Sequence, residues 1–214
     1  MIKCGFVSII GKANAGKSSL INAVINEKVS IVSPKPQTTR NNILGIYNDA
    51  NSQIVFVDTP GINKTATGLD NFMQKSIKGA VTDVSAVVLA SDITKPLSQQ
   101  EKDLINNYHN NKTPVILVLT KIDLVGDDKV FNTLSTLGDL ATSCEIVPVS
   151  SLKNRNISTL IEVVKKFLPE VEDNNKYFDE DLYTDKPLKF IVAEIIREKA
   201  LYLLNKEIPH GIAV

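Results

Sequence analysis

The sequence predicts an α/β fold, a doubly wound and mostly parallel six-stranded sheet with one antiparallel edge strand. Three observations carry this. Strand and helix patterns alternate over the first two thirds of the chain. The inner strands are continuous apolar runs, as required when both faces of a parallel sheet are covered. Two further strand runs are separated only by Asp49-Ala50-Asn51-Ser52, a hairpin connection that sets one antiparallel pair at an edge.

Each element has its own signal. Cys4–Ile10 is apolar enough for a buried strand, and Lys17–Asn26 places Leu20, Ile21, Val24 and Ile25 on one helical face. Ser30–Asn42 carries Ser33-Pro34-Lys35-Pro36-Gln37-Thr38-Thr39-Arg40, without periodicity, and reads as a loop. Ile43–Asn48 and Gln53–Asp58 are the hairpin strands. Gly61–Gly68 is a second loop and Leu69–Val81 a helix. Strands Ser85–Ala90, Val115–Thr120 and Glu145–Val149 then alternate with helices Ser98–Asn107, Val130–Leu140 and Asn156–Phe167. Pro169 ends that helix, and the acidic, polar stretch to Asp185 reads as a linker. Leu188–Leu204 is strongly helical, and Ile208–Val214 turns and opens a strand. The expected organisation is one domain over 1–169, a linker over 170–186 and the beginning of a second unit over 187–214.

Composition excludes several classes. The 214 residues carry 24 Lys and Arg against 24 Asp and Glu, so bulk charge gives no argument for nucleic acid or an anionic membrane. No apolar run reaches membrane-spanning length, and the N-terminus has no signal-peptide cleavage pattern. Trp is absent and aromatics are few, which argues against an aromatic stacking surface. Cys4 and Cys144 both fall in or beside strands and read as buried free thiols, consistent with a reducing cytoplasm.

Four motifs carry chemistry. Gly11-Lys12-Ala13-Asn14-Ala15-Gly16-Lys17-Ser18 fits G-x-x-x-x-G-K-[ST] between a strand and a helix, followed by Ser19. Its glycines let backbone N–H groups turn toward an anion, and the helix adds the positive end of its dipole. Lys17 reaches outer phosphates and the Ser18 hydroxyl suits Mg²⁺. Asp58-Thr59-Pro60-Gly61 closes a strand with a carboxylate able to hold Mg²⁺ through water and a glycine N–H for a terminal phosphate. Alone, D-x-x-G is as often a plain turn. Thr120-Lys121-Ile122-Asp123 follows an apolar strand. A carboxylate there can accept from the ring N–H and exocyclic amine of guanine together, a donor pair adenine lacks. Ser150-Ser151-Leu152-Lys153 offers backbone N–H groups to the guanine oxygen, although the same residues suit an ordinary helix cap.

In this order the motifs resemble those of the Era-like group of translation-factor-class GTPases. Asp58-Thr59-Pro60-Gly61, Asn14 and the segment Gln37-Thr38-Thr39-Arg40 are typical of that group. Tyr183-Thr184-Asp185, Ala193-Glu194-Ile195-Ile196-Arg197-Glu198-Lys199 and Ile208-Pro209 resemble the entry into the C-terminal KH domain of its Era branch, so the likeness covers essentially the whole chain. It implies a G domain that binds GTP and GDP and hydrolyses GTP. Lys17 would hold the β- and γ-phosphates and Ser18 would ligate Mg²⁺. Thr39, or its neighbour Thr38, would be the switch hydroxyl. Asp58 would hold a Mg²⁺-bound water, Gly61 would contact the γ-phosphate, and Lys121 and Asp123 would read guanine. Ser30–Asn42 and Gly61–Gly68 would be the two switches.

The chain departs from the common pattern. Thr120 replaces the usual asparagine and loses an amide, which would weaken nucleotide affinity, although other GTPases such as the Rho class tolerate threonine there; Ser151 replaces alanine, where backbone chemistry survives. Ile62 occupies the position at which many small GTPases carry a water-orienting glutamine, and no in-built arginine finger is identifiable, Arg40 within the first switch being the one open candidate. Slow intrinsic turnover follows, since a missing cationic group is worth about 10³–10⁵ in rate. In related proteins an asparagine like Asn14 helps bind K⁺ between the phosphates; the alternative is an ordinary polar loop residue. The resemblance further implies a role in small ribosomal subunit assembly, docking on its RNA 3′ end, and a cytoplasmic location with peripheral inner-membrane contact. No GXXG loop of the KH type follows Leu188. The tail is therefore expected to stop within the first KH strand, too short for a full core or for most specific RNA affinity. Two other readings compete: a P-loop small-molecule kinase, and a non-hydrolysing nucleotide-dependent binding module.

Overall fold

The computed structural model describes residues 1–32, 43–58, 84–172 and 175–203. Strand β1 (Ile2–Gly11) lies at the centre, followed by helix α1 (Lys17–Ile25). β2 (Ile43–Asp49) and β3 (Ser52–Asp58) form the hairpin. β4 (Ala86–Asp92), α2 (Gln99–Asn110), β5 (Val115–Thr120), α3 (Asp127–Thr136), β6 (Glu145–Pro148) and α4 (Ile157–Lys165) complete the alternation. The strand order is β2-β3-β1-β4-β5-β6, parallel except for the antiparallel β2–β3 edge pair.

Side chains alternate across the sheet as a doubly wound fold requires. Ile9, Phe56, Val88 and Val118 bury one face beneath Leu20 and Val24 of α1 and Leu160 and Val164 of α4. Ile10, Leu89, Leu117 and Leu119 bury the other beneath Ile105 of α2 and Val130 of α3. Because the inner strands are apolar on both sides, their bounds match the sequence reading closely. Helix ends shift more. The expected helix 130–140 begins at Asp127, where Gly126 precedes Asp127 and Asp128 in the first turn, an arrangement favourable to the helix dipole. It stops at Thr136, and Gly138–Thr142 forms a separate 3-10 turn. Asn156 takes a left-handed backbone (φ 62°), which delays α4 by one residue. The expected helix 69–81, the whole of the expected loop 61–68, residues 33–42 of the expected loop 30–42 and the segment 208–214 lie outside the described residues.

The structure adds a strand that the sequence did not reveal. β7 (Glu170–Val171) pairs antiparallel with Ile2 and Lys3 of β1, making the sheet seven-stranded. Two residues are too few to show a period. The chain beyond it runs along β2. Ile46 donates its N–H to Tyr183 O (3.0 Å), Gly45 forms a bridge with Thr184, and Leu44 N–H donates to Asp185 Oδ1 (3.0 Å). Gln53, fully buried in β3, fastens this connector. Its Nε2 donates to Phe178 O (2.8 Å) and Asn48 Oδ1 (2.8 Å), and its Oε1 accepts from the N–H groups of Tyr177 (2.8 Å) and Phe178 (3.0 Å). Tyr177 also packs edge-on against Phe6, with ring centroids 4.7 Å apart. Helix α5 (Leu188–Leu203) then returns to the end of the α1 segment. The buried Glu198 carboxylate accepts from Val32 N–H (2.8 Å) and pairs with Lys28 (2.7 Å). Cys4 and Cys144 are buried free thiols; burial pushes the Cys144 thiol up to about 11.

Asp49 links the hairpin to α4. Its Oδ1 accepts from Asn51 N–H and Ser52 Oγ (both 2.9 Å), and its Oδ2 pairs with Lys165 (2.7 Å). Burial alone would raise this carboxyl, but the Lys165, Asn51, Ser52 and Tyr47 hydrogen bonds outweigh it and bring it down to about 2. A depressed folded value stabilises above the unfolded value and is lost as pH falls through the folded one. Asp49→Asn should therefore cost about 1 kcal/mol near neutrality, discounted for partial exposure, and the difference should shrink as pH falls through about 2. Urea midpoints of both proteins across that range check it.

Candidate functional site

The phosphate-type loop is shaped by two glycines. Gly11 ends β1 at φ 151°, and a Cβ there would overlap the Ala90 carbonyl oxygen of β4. Gly16 precedes α1 at φ 88°, where an L side chain would be strained. Between them Ala15 N–H bonds Lys12 O (3.2 Å), and Asn14 sits at φ 62°. Asparagine tolerates that left-handed conformation better than most residues, so the backbone alone gives Asn14 a reason to be there. No side chain caps α1, so its first N–H groups border the loop. Lys17 folds back over the loop and donates to Gly11 O (3.0 Å) and Lys12 O (2.9 Å). Ser18 and Ser19 occupy the first turn of α1, and Ala13 lies exposed at the crest of the loop.

The Thr120-Lys121-Ile122-Asp123 motif stands beside this loop at the end of β5. Thr120 is buried, and its hydroxyl lies between Ala15 O (2.7 Å) and Ser91 O (3.1 Å). The expectation that threonine only subtracts an amide is thus amended. The hydroxyl ties the two loops together, and Gly16 packs against it, with a Cβ position 3.6 Å from the threonine. Thr120→Val should destabilise by about 1–2 kcal/mol, because two buried carbonyls lose this donor. Denaturation midpoints, with nucleotide affinity measured alongside, test this. Lys121 takes φ 62° and pairs with Asp92 at the end of β4 (Nζ–Oδ2 2.6 Å). Burial raises the Asp92 carboxyl, but Lys121 and Thr94 outweigh it and hold it below its ordinary value. Ile122 is buried and anchors a short 3-10 turn that carries Asp123.

Asp123 meets the fourth motif directly. Ser150 Oγ donates to Asp123 Oδ1 (2.5 Å) and accepts from Lys153 N–H (3.0 Å). The backbone pair Ser150–Arg155 closes the loop, and Asn156 Nδ2 clamps Pro148 O (2.8 Å). Ser151 and Leu152 lie on that loop, with Leu152 largely exposed.

The C-terminal ends of β1, β5 and β6 thus bring 11–19, 120–123 and 150–152 to one edge of the sheet. Asp58 closes β3 with its backbone opposite Ile9 of β1 and Ile43 of β2. Thr59, Pro60, Gly61, Ile62, Thr38, Thr39 and Arg40 lie outside the described residues. Three polar residues at the site had no place in the sequence reading: Asp92, Ser91 and Glu101. A carboxylate just past an apolar strand or in a first helical turn looks like an ordinary boundary residue, so no signal marked them.

With this geometry in place, comparison with known proteins is decisive. The family model described as "50S ribosome-binding GTPase" matches residues 6–121. The fold and the loops at its strand ends define a P-loop GTPase with a G domain. GTPase Era of Clostridium kluyveri is 44% identical over 214 residues, covering 100% of this chain and 72% of that protein. GTPase Era of Clostridium botulinum (strain Okra) is 47% identical, covering 100% and 71%. The chain belongs to the Era GTPase family. A crystal structure of Era with MgGDPNP and nucleotides 1506–1542 of 16S ribosomal RNA superposes with a TM-score of 0.83 at 34% identity, covering 98% of this chain and 70% of that one. An Aquifex aeolicus Era variant bound to GDP·AlF₄⁻ gives 0.81 at 34%, covering 97% and 70%. The family is enzymatic and hydrolyses GTP, so the small-molecule kinase and non-hydrolysing readings fall away.

Proposed function

We propose that this GTPase is a nucleotide-gated switch in small ribosomal subunit assembly, with its nucleotide held by the loops described above. The observation that supports the reading best is the pair of links, Thr120 to Ala15 and Asp123 to Ser150, that lock the phosphate loop, the base motif and the fourth motif into one unit. In this reading Gly11–Ser19 wraps the phosphates. Lys17 exchanges its two loop carbonyls for β- and γ-phosphate oxygens. Asp123 accepts from guanine while Ser150 fixes its carboxylate, Lys121 lies along the purine, and the 150–152 backbone faces the guanine oxygen. Thr39 or Thr38, Thr59, Pro60 and Gly61 respond to the γ-phosphate. In the same reading Ser18, in the first turn of α1, and Asp58, the last residue of β3, supply oxygen to Mg²⁺; among the described residues no group of three or more His, Cys, Asp or Glu could hold a metal ion by itself. That sparse donor set suits an ion carried mostly by phosphates and water, where it would neutralise developing charge. In the same reading Asn14 helps hold K⁺ in the cleft.

Partner binding rests on the relative whose structure contains 16S ribosomal RNA. The domain division 1–169, 170–186 and 187–214 belongs to the same reading. It is supported by α5, which leaves Leu188, Val192, Ile196 and Leu203 exposed along one face, as a helix of a further unit would. A cytoplasmic location with peripheral membrane contact rests on the resemblance alone; among the described residues no helix is long and apolar enough to cross a membrane.

Competition binding and turnover assays test the proposal. GTP and GDP should displace a fluorescent GDP analogue where ATP does not, and GTP hydrolysis with Mg²⁺ should be faster in K⁺ than in Na⁺. Equal displacement by ATP would refute the guanine site, and equal rates in the two salts would refute the K⁺ role. Retention of the small subunit's RNA 3′ end on filters in the GTP form tests the partner.

A further inference from the structure

Lys12, the second residue of the phosphate loop, does not point its ammonium along the loop. Its Nζ reaches Glu101 Oε2 (2.9 Å) and Ser98 Oγ (2.7 Å) at the start of α2. Glu101 is 2% exposed. The same Oε2 accepts from Ser98 N–H (2.9 Å) and Ser98 Oγ (2.5 Å), while Oε1 accepts from Ser91 Oγ (2.9 Å) near the end of β4. Ser98 and Glu101 form a capping box, in which Glu101 N–H also donates to Ser98 Oγ (3.4 Å); of the contacts above it accounts for the Ser98 N–H bond and not for the others. A cap needs neither a lysine from a distant loop nor a serine from the neighbouring strand. Burying a carboxylate costs free energy unless each lone pair is met, and here Lys12 and Ser91 complete the set.

The connections lead into both halves of the site. Lys12 gives its backbone carbonyl to Lys17, so the orientation of residue 12 affects where the phosphate-binding ammonium rests. Ser91 gives its backbone carbonyl to Thr120, and the next residue, Asp92, holds Lys121. One buried carboxylate therefore touches the phosphate loop on one oxygen and the strand that supports the base motif on the other.

We propose that Glu101 is a positioning residue for the nucleotide site, acting through Lys12 to fix the phosphate loop against β4 and α2. The inference rests on the guanine-nucleotide site proposed above and adds a residue outside every nucleotide motif. Glu101 touches no nucleotide; it holds the residues that do. Its removal leaves the loop residues present but their relative placement loose, which raises KM and the GDP dissociation constant more than it lowers kcat.

The test is a double-mutant cycle on Glu101→Gln and Lys12→Met, with Lys12→Arg as the conservative variant, read by GDP-analogue titration, steady-state GTP hydrolysis and melting temperature. Each single variant should weaken GDP binding about tenfold, and the double variant no more than the weaker single, because both remove one shared link. Lys12→Arg, which keeps the charge beside Glu101, should recover most of the GDP affinity that Lys12→Met loses. A purely capping role would lower the melting temperature in Glu101→Gln while leaving GDP affinity unchanged, and that result overturns the proposal. Additive losses in the double variant overturn it too, since they mean Lys12 acts directly on the ligand. If Glu101→Gln does not fold, unchanged GDP affinity in Lys12→Met is sufficient to reject it. Failure of the wild-type protein to bind GDP would instead reject the site reading itself.

Discussion

Lys17→Met should lower kcat/KM for GTP by about 10²–10³ while leaving the fold intact, since it removes a positioned cation from the site of developing charge. The asymmetry follows from what Lys17 touches. Its ammonium bonds the loop carbonyls Gly11 O and Lys12 O at a partly exposed edge of the fold, where water can take its place at both carbonyls. Methionine keeps the length of the stem and lacks the charge. Steady-state hydrolysis with a thermal melt on the same sample separates the two effects. A variant that unfolds, or that hydrolyses GTP at the wild-type rate, would contradict this account of the loop.

Asp123→Asn should exchange base preference rather than merely abolish binding. A carboxylate accepts from the two guanine donors; an amide presents one donor and one acceptor, which suits xanthine with its extra carbonyl. GTP affinity should fall by at least about 10²-fold, the scale for leaving site hydrogen bonds unmade, while xanthosine triphosphate gains. Ser150 makes the swap feasible, because its hydroxyl can donate to the amide oxygen as it does to Asp123 Oδ1 and so hold the remaining NH₂ toward the base. Ser150→Ala should therefore blunt the gain for xanthosine triphosphate. Parallel titrations with both nucleotides check the pair. A loss for GTP without any gain for xanthosine triphosphate would place Asp123 in a purely structural role.

The parts of this molecule that were legible in its sequence are those where chemistry leaves little choice. Val115–Thr120 is apolar at five successive positions, and only a strand covered on both faces buries all of them. Gly11 and Gly16 are required by backbone geometry, and Lys17 follows at a fixed distance, so the loop could be read letter by letter. Asp123 was legible from its place after that strand, whereas its bond to Ser150 was not, because the two are 27 residues apart. Gln53 stood inside a hairpin strand where polar residues normally face water. Its burial depends on Tyr177 and Phe178, more than a hundred residues away. Glu101 likewise looked like a capping residue and is one, with two further partners that only the folded chain supplies.

The stretch fastened by Gln53 also settles how the sheet ends. β2 is the outermost strand, and an outermost strand presents unpaired N–H and C=O groups on which another chain can build. Here part of that edge is already occupied. Tyr183 and Asp185 accept the N–H groups of Ile46 and Leu44, and Asn48 reaches the carbonyls of Glu180 and Leu182. What the composition alone would label a spacer is a guard against strand-by-strand aggregation. Cutting the chain back to the end of α4 would preserve every nucleotide motif and remove that guard, so colloidal stability would suffer before catalysis did.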